Sequence, residues 1–263
     1  GAQFSSLGSF IGIIVSVLLA TIFNVQIAIL IAGGLLVLIA IIAAIIVPET
    51  KFVRVVRNDM ISLRQMRRAI TGGFAQIKGN SVLVGFVAIT LLTGLASEGF
   101  DRLWGAHFIE GFRLNEQSAI YWFGAFFAIA FLLNIVVLKV VEAYVKEQFA
   151  KALLVLNSLL VIAMLFFAFS GSFLLAVLLY WIIAALREVN NPLVSVMINK
   201  RLQPQGRATA LSMYGQLDAL GQAAGGPLVG MIALYTSIQG GIAASAILII
   251  PTLYFLWRMR KIA

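Results

Sequence analysis

Asp218 is the single charged residue between Arg207 and Arg258. A carboxylate that deep in an apolar stretch can titrate, hold a cation, or accept a hydrogen bond from a neighbouring segment. Gln222 stands four residues on, one helical turn away, where its amide can reach that carboxylate. Two other places combine charge with an apolar setting. Glu98 is followed by Asp101 and Arg102, and the adjacent Arg187 and Glu188 are followed by Asn190, Asn191 and Pro192. Glu98, Glu188 and Asp218 are acids within apolar runs, and Arg187 is the base clearly among them. At least one acid therefore needs a proton, a cationic substrate or a partner from elsewhere. Arg187 and Glu188 point about 100° apart on a helix and need not pair with each other.

Other chemistry lacks its residue types. The chain has no cysteine and one histidine, His107, so it offers no thiolate and almost nothing to ligate zinc, haem or iron–sulfur. No Gly-x-Ser-x-Gly or His-Glu-x-x-His run occurs. Catalytic residues, a metal and a cofactor are not expected, and an enzyme is not the reading. His107 is expected in an ordinary loop.

The elements that must position these residues follow from composition. Of 263 residues, 62% are hydrophobic and 11% charged, with mean hydropathy +1.04; a soluble domain is nearer half apolar and a quarter charged. Crossing ~30 Å of hydrocarbon takes about 20 apolar residues per helix. Eight such runs are present, at 8–24, 27–47, 80–101, 118–138, 152–170, 172–198, 208–234 and 239–257. All are expected to be helices, because lipid offers the backbone no hydrogen-bond partner. The first lacks the basic flank and small-residue cleavage site of a signal peptide and reads as a true span. The uncharged runs 27–47, 152–170 and 239–257 read as lipid-facing, and the charged ones as cavity-lining.

Net charge is +9, and its placement gives an orientation. Seven Lys and Arg fall in 51–78, three in 139–151, three in 199–207 and three after Trp257, sixteen of nineteen in all. The positive-inside rule places every one of these segments, and both ends, in the cytoplasm of a plasma-membrane protein. In 51–79, Phe52, Val53, Val56, Met60, Leu63 and Met66 recur at helical spacing opposite the bases. That segment reads as a cytoplasmic linker helix on the anionic inner leaflet, and no nucleic-acid partner is expected.

Within 208–234, Gly215, Ala219, Ala223, Gly226 and Gly230 fall on one narrow stripe, with Pro227 a bend beside it. Helices in lipid associate through close backbone packing, so the stripe reads as a contact surface. Asp218 lies about 15 Å in from Ala208 at helical rise. A carboxylate at such depth costs at least ~2.5–3.5 kcal/mol on insertion scales. Its role is either a structural hydrogen bond or the binding of a proton or cation.

"FSSLGS" (Phe4 to Ser9) and "LSMYGQ" (Leu211 to Gln216) match loosely at an offset of 207 residues, six spans apart, as a repeated six-helix unit would produce. The segment "RATALSMYGQLDALGQAAGGPLVG" resembles the eleventh helix of a major facilitator superfamily transporter. "LREVNNPLVSVMINKRL" resembles its tenth, and "LASEGFDRLWGAHF" the outer end of its seventh. "GAQFSSLGSFIGIIVSVLLATIFNVQIAILIAGG" is similar to helices five and six of the drug-efflux branch. The family's Gly-x-x-x-Gly-Pro motif of the fifth helix is not in "LGSFIGIIVSVLL", although "GQAAGGPLVG" carries a version, and "LKVVEAYVKEQFAK" lacks the family's glycine and aspartate loop pattern.

The resemblance implies a partial major facilitator fold: an all-α, polytopic membrane protein with about eight transmembrane helices. Residues 1–50 would be the last two helices of the N-terminal half, 51–79 the basic linker and 80–263 the six-helix C-terminal half. The first four helices of the family would be further partners of this chain. It also implies export of amphipathic or cationic small molecules by proton antiport, with Asp218, Glu98, Arg187, Glu188 and Gln222 as coupling candidates. Gly215, Ala219, Ala223, Gly226, Pro227 and Gly230 would meet the other half. A nutrient or lipid symporter or uniporter of the same fold, and a non-transporting scaffold, are the alternatives.

The charge asymmetry predicts labelling by sidedness. In the full-length protein, with any other cysteine replaced, cysteine at Gly171 or Gln117 reacts with an impermeant thiol reagent applied to intact cells. Cysteine at Lys151 or Gln205 reacts only after permeabilisation, and the reverse pattern overturns the orientation.

Overall fold

The computed structural model describes residues 2–46, 67–68, 71–72, 74–75, 77–145, 147–204 and 207–260. Most of the expected linker helix at 51–79 lies outside them. Among the described residues every regular element is helical. The helices are α1 (Ala2–Ile22), α2 (Val25–Ile46), α3 (Ser81–Gly111), α4 (Glu116–Tyr144), α5 (Phe149–Ala168), α6 (Phe173–Arg201), α7 (Arg207–Tyr235) and α8 (Ile238–Arg260). Seven are long and apolar enough to cross a membrane, and Gly8–Ile22 of α1 is a shorter apolar helix. The fold class expected from the sequence is the one observed.

Asparagines start three of these helices. Asn24 accepts from the Ile27 amide at 2.8 Å, Asn80 from Val82 at 3.0 Å, and Asn115 from Ser118 at 2.8 Å. Each satisfies a donor that the first turn leaves free. α3 runs ten residues beyond the apolar run 80–101, since nothing between Asp101 and Gly111 breaks a helix. It stops where Arg113 takes a left-handed φ of 54° and the Leu114 amide reaches back to the Ile109 carbonyl at 3.1 Å, a Schellman closure built without glycine.

The chain divides into two compact units, Gly1–Arg64 with Asn115–Phe131, and Gln65–Leu114 with Leu132–Ala263. The division passes through α4. In the first unit α1 packs on α2, and Gly124 of α4 takes the Val17 side chain of α1 against its bare backbone. No described residue of α2 is buried.

In the second unit α3 is the central helix, packed mainly on α7 and α8, while α5 packs on α8 and α6. One end holds an aliphatic core around Leu83, Phe86, Leu153, Val189, Met197 and Leu256, where the Tyr214 hydroxyl donates to the Leu83 carbonyl at 2.7 Å. The other end is aromatic, with Phe100, Trp104, Phe108, Phe167 and Tyr180 in mutual ring contact. The uncharged runs within α5 and α8 build this core with one face and expose an apolar stripe on the other: Val155, Leu159, Ile162 and Phe166 on α5, and Ile247, Ile250, Tyr254 and Trp257 on α8. The sequence reading of these spans as lipid-facing describes only that second face.

The tightest contact is between α3 and α7. A Cβ placed on Gly221 would strike the Leu91 carbonyl and the Leu95 amide. One on Gly225 would strike the Leu95 backbone, and one on Gly94 the Asp218 carbonyl. The backbones therefore touch directly, on a face of α7 different from the predicted stripe. Among the described residues, a Cβ on Gly215 or Gly230 meets nothing within 4 Å.

Gly221→Ala and Gly225→Ala therefore force α3 and α7 apart, and each is expected to lower stability by about 1–3 kcal/mol. Gly171→Ala, in open space between α5 and α6, stays within about 0.5 kcal/mol of the parent. Denaturant unfolding of the purified protein checks both. Equal stability of all three variants would show that the close contact does not hold the unit together.

Candidate functional site

The α3–α7 contact fixes the rotation of α7. With Gly221 and Gly225 buried against α3, the flanking Ala219, Ala223 and Pro227 are exposed. These residues, with Gln222, Gly226, Glu98 and Arg102, line a groove of about 570 Å³. Gly226 is needed where Arg102 crosses α7: a Cβ there would lie 2.8 Å from Arg102 Nε and 3.4 Å from Glu98 Cγ.

Two polar pairs furnish this face. Arg102 donates to the Glu98 carboxylate at 2.7 Å, an i,i+4 pair whose side chains are 66% and 23% exposed respectively. Gln222 Nε2 donates to Asp218 Oδ2 at 2.8 Å, and that carboxylate lies beside Gly94 of α3. Asp218 thus has a neutral partner, and no cation pairs with it among the described residues. Ionised, it adds one negative charge beside a pair that cancels itself. Protonated, it can accept or donate to Gln222 without charge.

Arg187 belongs to a different constellation. Its guanidinium donates both of its terminal nitrogens to Asp101, at 2.6 Å each, and lies 5.4 Å from the centre of the Phe100 ring. This forked ion pair ties α6 to α3. Glu188 is exposed and makes no ion pair among the described residues. Of the five coupling candidates, the structure brings Glu98 and Gln222 to one groove with Asp218 bonded to Gln222; Arg187 and Glu188 do not line it. In the predicted stripe, Ala219, Ala223, Gly226 and Pro227 line the groove, while Gly215 and Gly230 do not.

Several polar residues were not singled out by the sequence for the roles they take. Asp101 is the partner of Arg187. Arg102 neutralises Glu98, and its i,i+4 spacing was a readable signal. Asn157, buried in α5, donates to Asn190 of α6 at 2.7 Å and to the Leu153 carbonyl at 2.8 Å, and nothing local in the sequence marks that pairing. His107 is not a loop residue: it sits buried in the last turns of α3, its ring 4.9 Å from that of Phe167 and 5.7 Å from that of Phe112. The helix continues through it because no breaker precedes Phe112. Among the described residues no three His, Asp or Glu side chains converge as a metal would require.

Neither a protein-family model nor a curated protein sequence matches the chain. A solved structure does: the crystal structure of the human organic anion transporter MFSD10 (TETRAN), with a TM-score of 0.54 and 19% identity, over 67% of this chain and 39% of that one. The fold is a partial major facilitator fold. The chain spans about two fifths of the length of that neighbour, and at this identity the likeness speaks to architecture alone. A multi-pass membrane protein of major facilitator architecture is thus what the apolar helices and the fold comparison agree on.

Proposed function

We propose that this chain is the greater part of a secondary active transporter of the drug-efflux type, exporting amphipathic or cationic small molecules in exchange for protons. The observation that carries this reading is the groove on the α3–α7 face, lined by Gln222, whose amide donates to Asp218, a carboxylate with no ion pair among the described residues. A proton and a cationic substrate then compete for the same negative charge, which is the elementary requirement of antiport. Ala219, Ala223 and Pro227 give the groove an apolar wall for the body of an amphipathic molecule. Glu98 and Arg102 orient its polar end.

The remaining assignments complete the reading. The chain supplies helices five to twelve: residues 1–50 end the N-terminal half, 51–79 link the halves and 80–263 form the C-terminal half. It lies in the plasma membrane with both ends cytoplasmic, and it acts on bound substrate without catalysis. The stripe Gly215, Ala219, Ala223, Gly226 and Gly230, with Pro227, faces the other half, whose first four helices complete the transporter. Its smallness lets the halves rock about a site near the midplane. Protonation of Asp218 biases one conformation only by as much as its binding differs between the two.

A second reading has its own support. The Arg102 side chain, which lines the groove, is more exposed than that of Glu98, and the structural neighbour is an organic anion transporter. On this reading an anionic group meets Arg102, and Glu98 is the counter-ion it displaces.

Both are tested in proteoliposomes carrying the full-length protein under an imposed proton gradient, with an amphipathic cation and an amphipathic anion as substrates. The first reading predicts gradient-driven flux of the cation, and loss of at least about tenfold in that flux in Asp218→Asn, as expected when an interaction with a charged group is removed, with cation binding weakened and no longer competed by protons. Flux of the anion alone, lost in Arg102→Gln, establishes the second. Undiminished coupled flux in Asp218→Asn leaves that residue its hydrogen bond to Gln222 only, and no flux of either substrate overturns the transporter reading.

A further inference from the structure

Where α5 begins and α6 and α8 end, the second unit carries another cavity, of about 400 Å³. Lys151, Lys200, Arg201 and Arg260 line it against a single acid, Glu147. All four bases are exposed, and none makes an ion pair among the described residues. Four cations converging on one cavity repel one another, and the repulsion is relieved by an anion with several acceptor oxygens. Lys200 is already held in place, its ammonium 4.4 Å from the centre of the Phe149 ring. The floor of the cavity is the start of α5, where Gln148 makes no side-chain capping bond, so first-turn amides add to the positive field.

The walls narrow the choice of anion. Phe149 and Met197 are apolar lining residues. On α5, Lys151 begins a helical stripe that continues through Val155, Leu159, Ile162 and Phe166, which are 51%, 48%, 50% and 64% exposed. The stripe rises about 22 Å along the helix, more than half of the ~30 Å hydrocarbon core. A soluble phosphate would use the bases and leave the stripe idle. A molecule with a phosphate at one end and an alkyl chain attached uses both.

We propose that this cavity binds the phosphate headgroup of an anionic phospholipid, with one acyl chain lying along the Val155–Phe166 stripe of α5. The site is separate from the α3–α7 groove and does not depend on the transport reading. Its occupant bridges the ends of three helices and so braces α5, α6 and α8 at the membrane surface.

The test is lipid retention by the full-length protein, purified in detergent with equal phosphatidylglycerol and phosphatidylcholine and read by native mass spectrometry. The parent is expected to retain phosphatidylglycerol preferentially. Lys200→Gln, Arg201→Gln and Arg260→Gln each weaken that preference about fivefold, as one base near an anionic surface contributes. Lys139→Gln, which removes a base outside the cavity, leaves it unchanged. The single variants are read separately, so a combined variant that fails to fold does not decide the matter. Equal retention of the two lipids by the parent, or a preference that all three cavity variants keep, overturns the proposal. Inorganic phosphate that displaces phosphatidylglycerol at equal concentration overturns the lipid assignment, because it shows that the acyl chain contributes nothing.

Discussion

The backbones of α3 and α7 touch, and most of the second unit follows from that. Lipid is as apolar as leucine, so burying apolar side chains gives a membrane helix little reason to prefer one neighbour. Preference comes from close packing, and Gly94, Gly221 and Gly225 allow the closest packing there is. The contact leaves α7 one rotation. The Gly221–Gly225 face is consumed against α3, and Ala219, Ala223 and Pro227 turn outward. Gln222 comes to the groove on that rotation and carries its hydrogen bond to Asp218, which does not itself line the groove. At Gly226 the same absence of side chain admits Arg102, which brings Glu98 to the groove from the other helix. A site of two helices is thus set by three glycines that take no part in its chemistry.

The charges in the helices divide by what they already have. Asp101 and Arg187 satisfy each other through two short bonds and join α3 to α6. Such a pair is poor coupling machinery, since a ligand must break it before using either member. Glu98 and Arg102 are partnered within one helix, and Arg102 is mostly exposed, so solvent or substrate can compete for it at little cost. Asp218 has an amide for a partner. An ionised carboxylate at such depth is unfavourable by at least ~2.5–3.5 kcal/mol, and one amide does not remove its charge. Asp218 is therefore a place within the helices where a proton or a cation has something to offer.

Much of this was legible before the coordinates. Apolar run length gave the helices, because lipid leaves the backbone no alternative; the caps at Asn24, Asn80 and Asn115 follow an ordinary rule that the sequence reading did not apply. The limits were of two kinds. Spacing marks small residues but does not say which of several small faces a neighbour chooses. The sequence reading assigned the five-residue stripe from Gly215 to the other half and did not single out Gly221 and Gly225, four apart, which make the tight contact with α3. Partners across helices are likewise invisible to spacing. Arg102 could be assigned to Glu98 from their separation alone, but Asp101 and Arg187 are 86 residues apart, and only the packing of α6 on α3 brings them together. His107 shows a third limit. A polar residue beyond an apolar run suggests a loop, yet the helix persists when nothing breaks it and aromatic neighbours enclose the ring.

The proposed transport reading requires the Ala219–Ala223 face of α7 to meet water and the exposed face of α5 to meet lipid, although both are open. The chain has no cysteine, so single cysteines can report on each face with a hydrophilic maleimide. In the full-length protein in membranes, with any other cysteine replaced, Ala219→Cys and Ala223→Cys are predicted to label readily. Leu159→Cys and Ile162→Cys, equally uncovered in the unit, are predicted to stay unlabelled. Labelling of the α5 cysteines at the rate of the α7 pair, or protection of Ala219→Cys and Ala223→Cys under every gradient and substrate condition, would contradict the account.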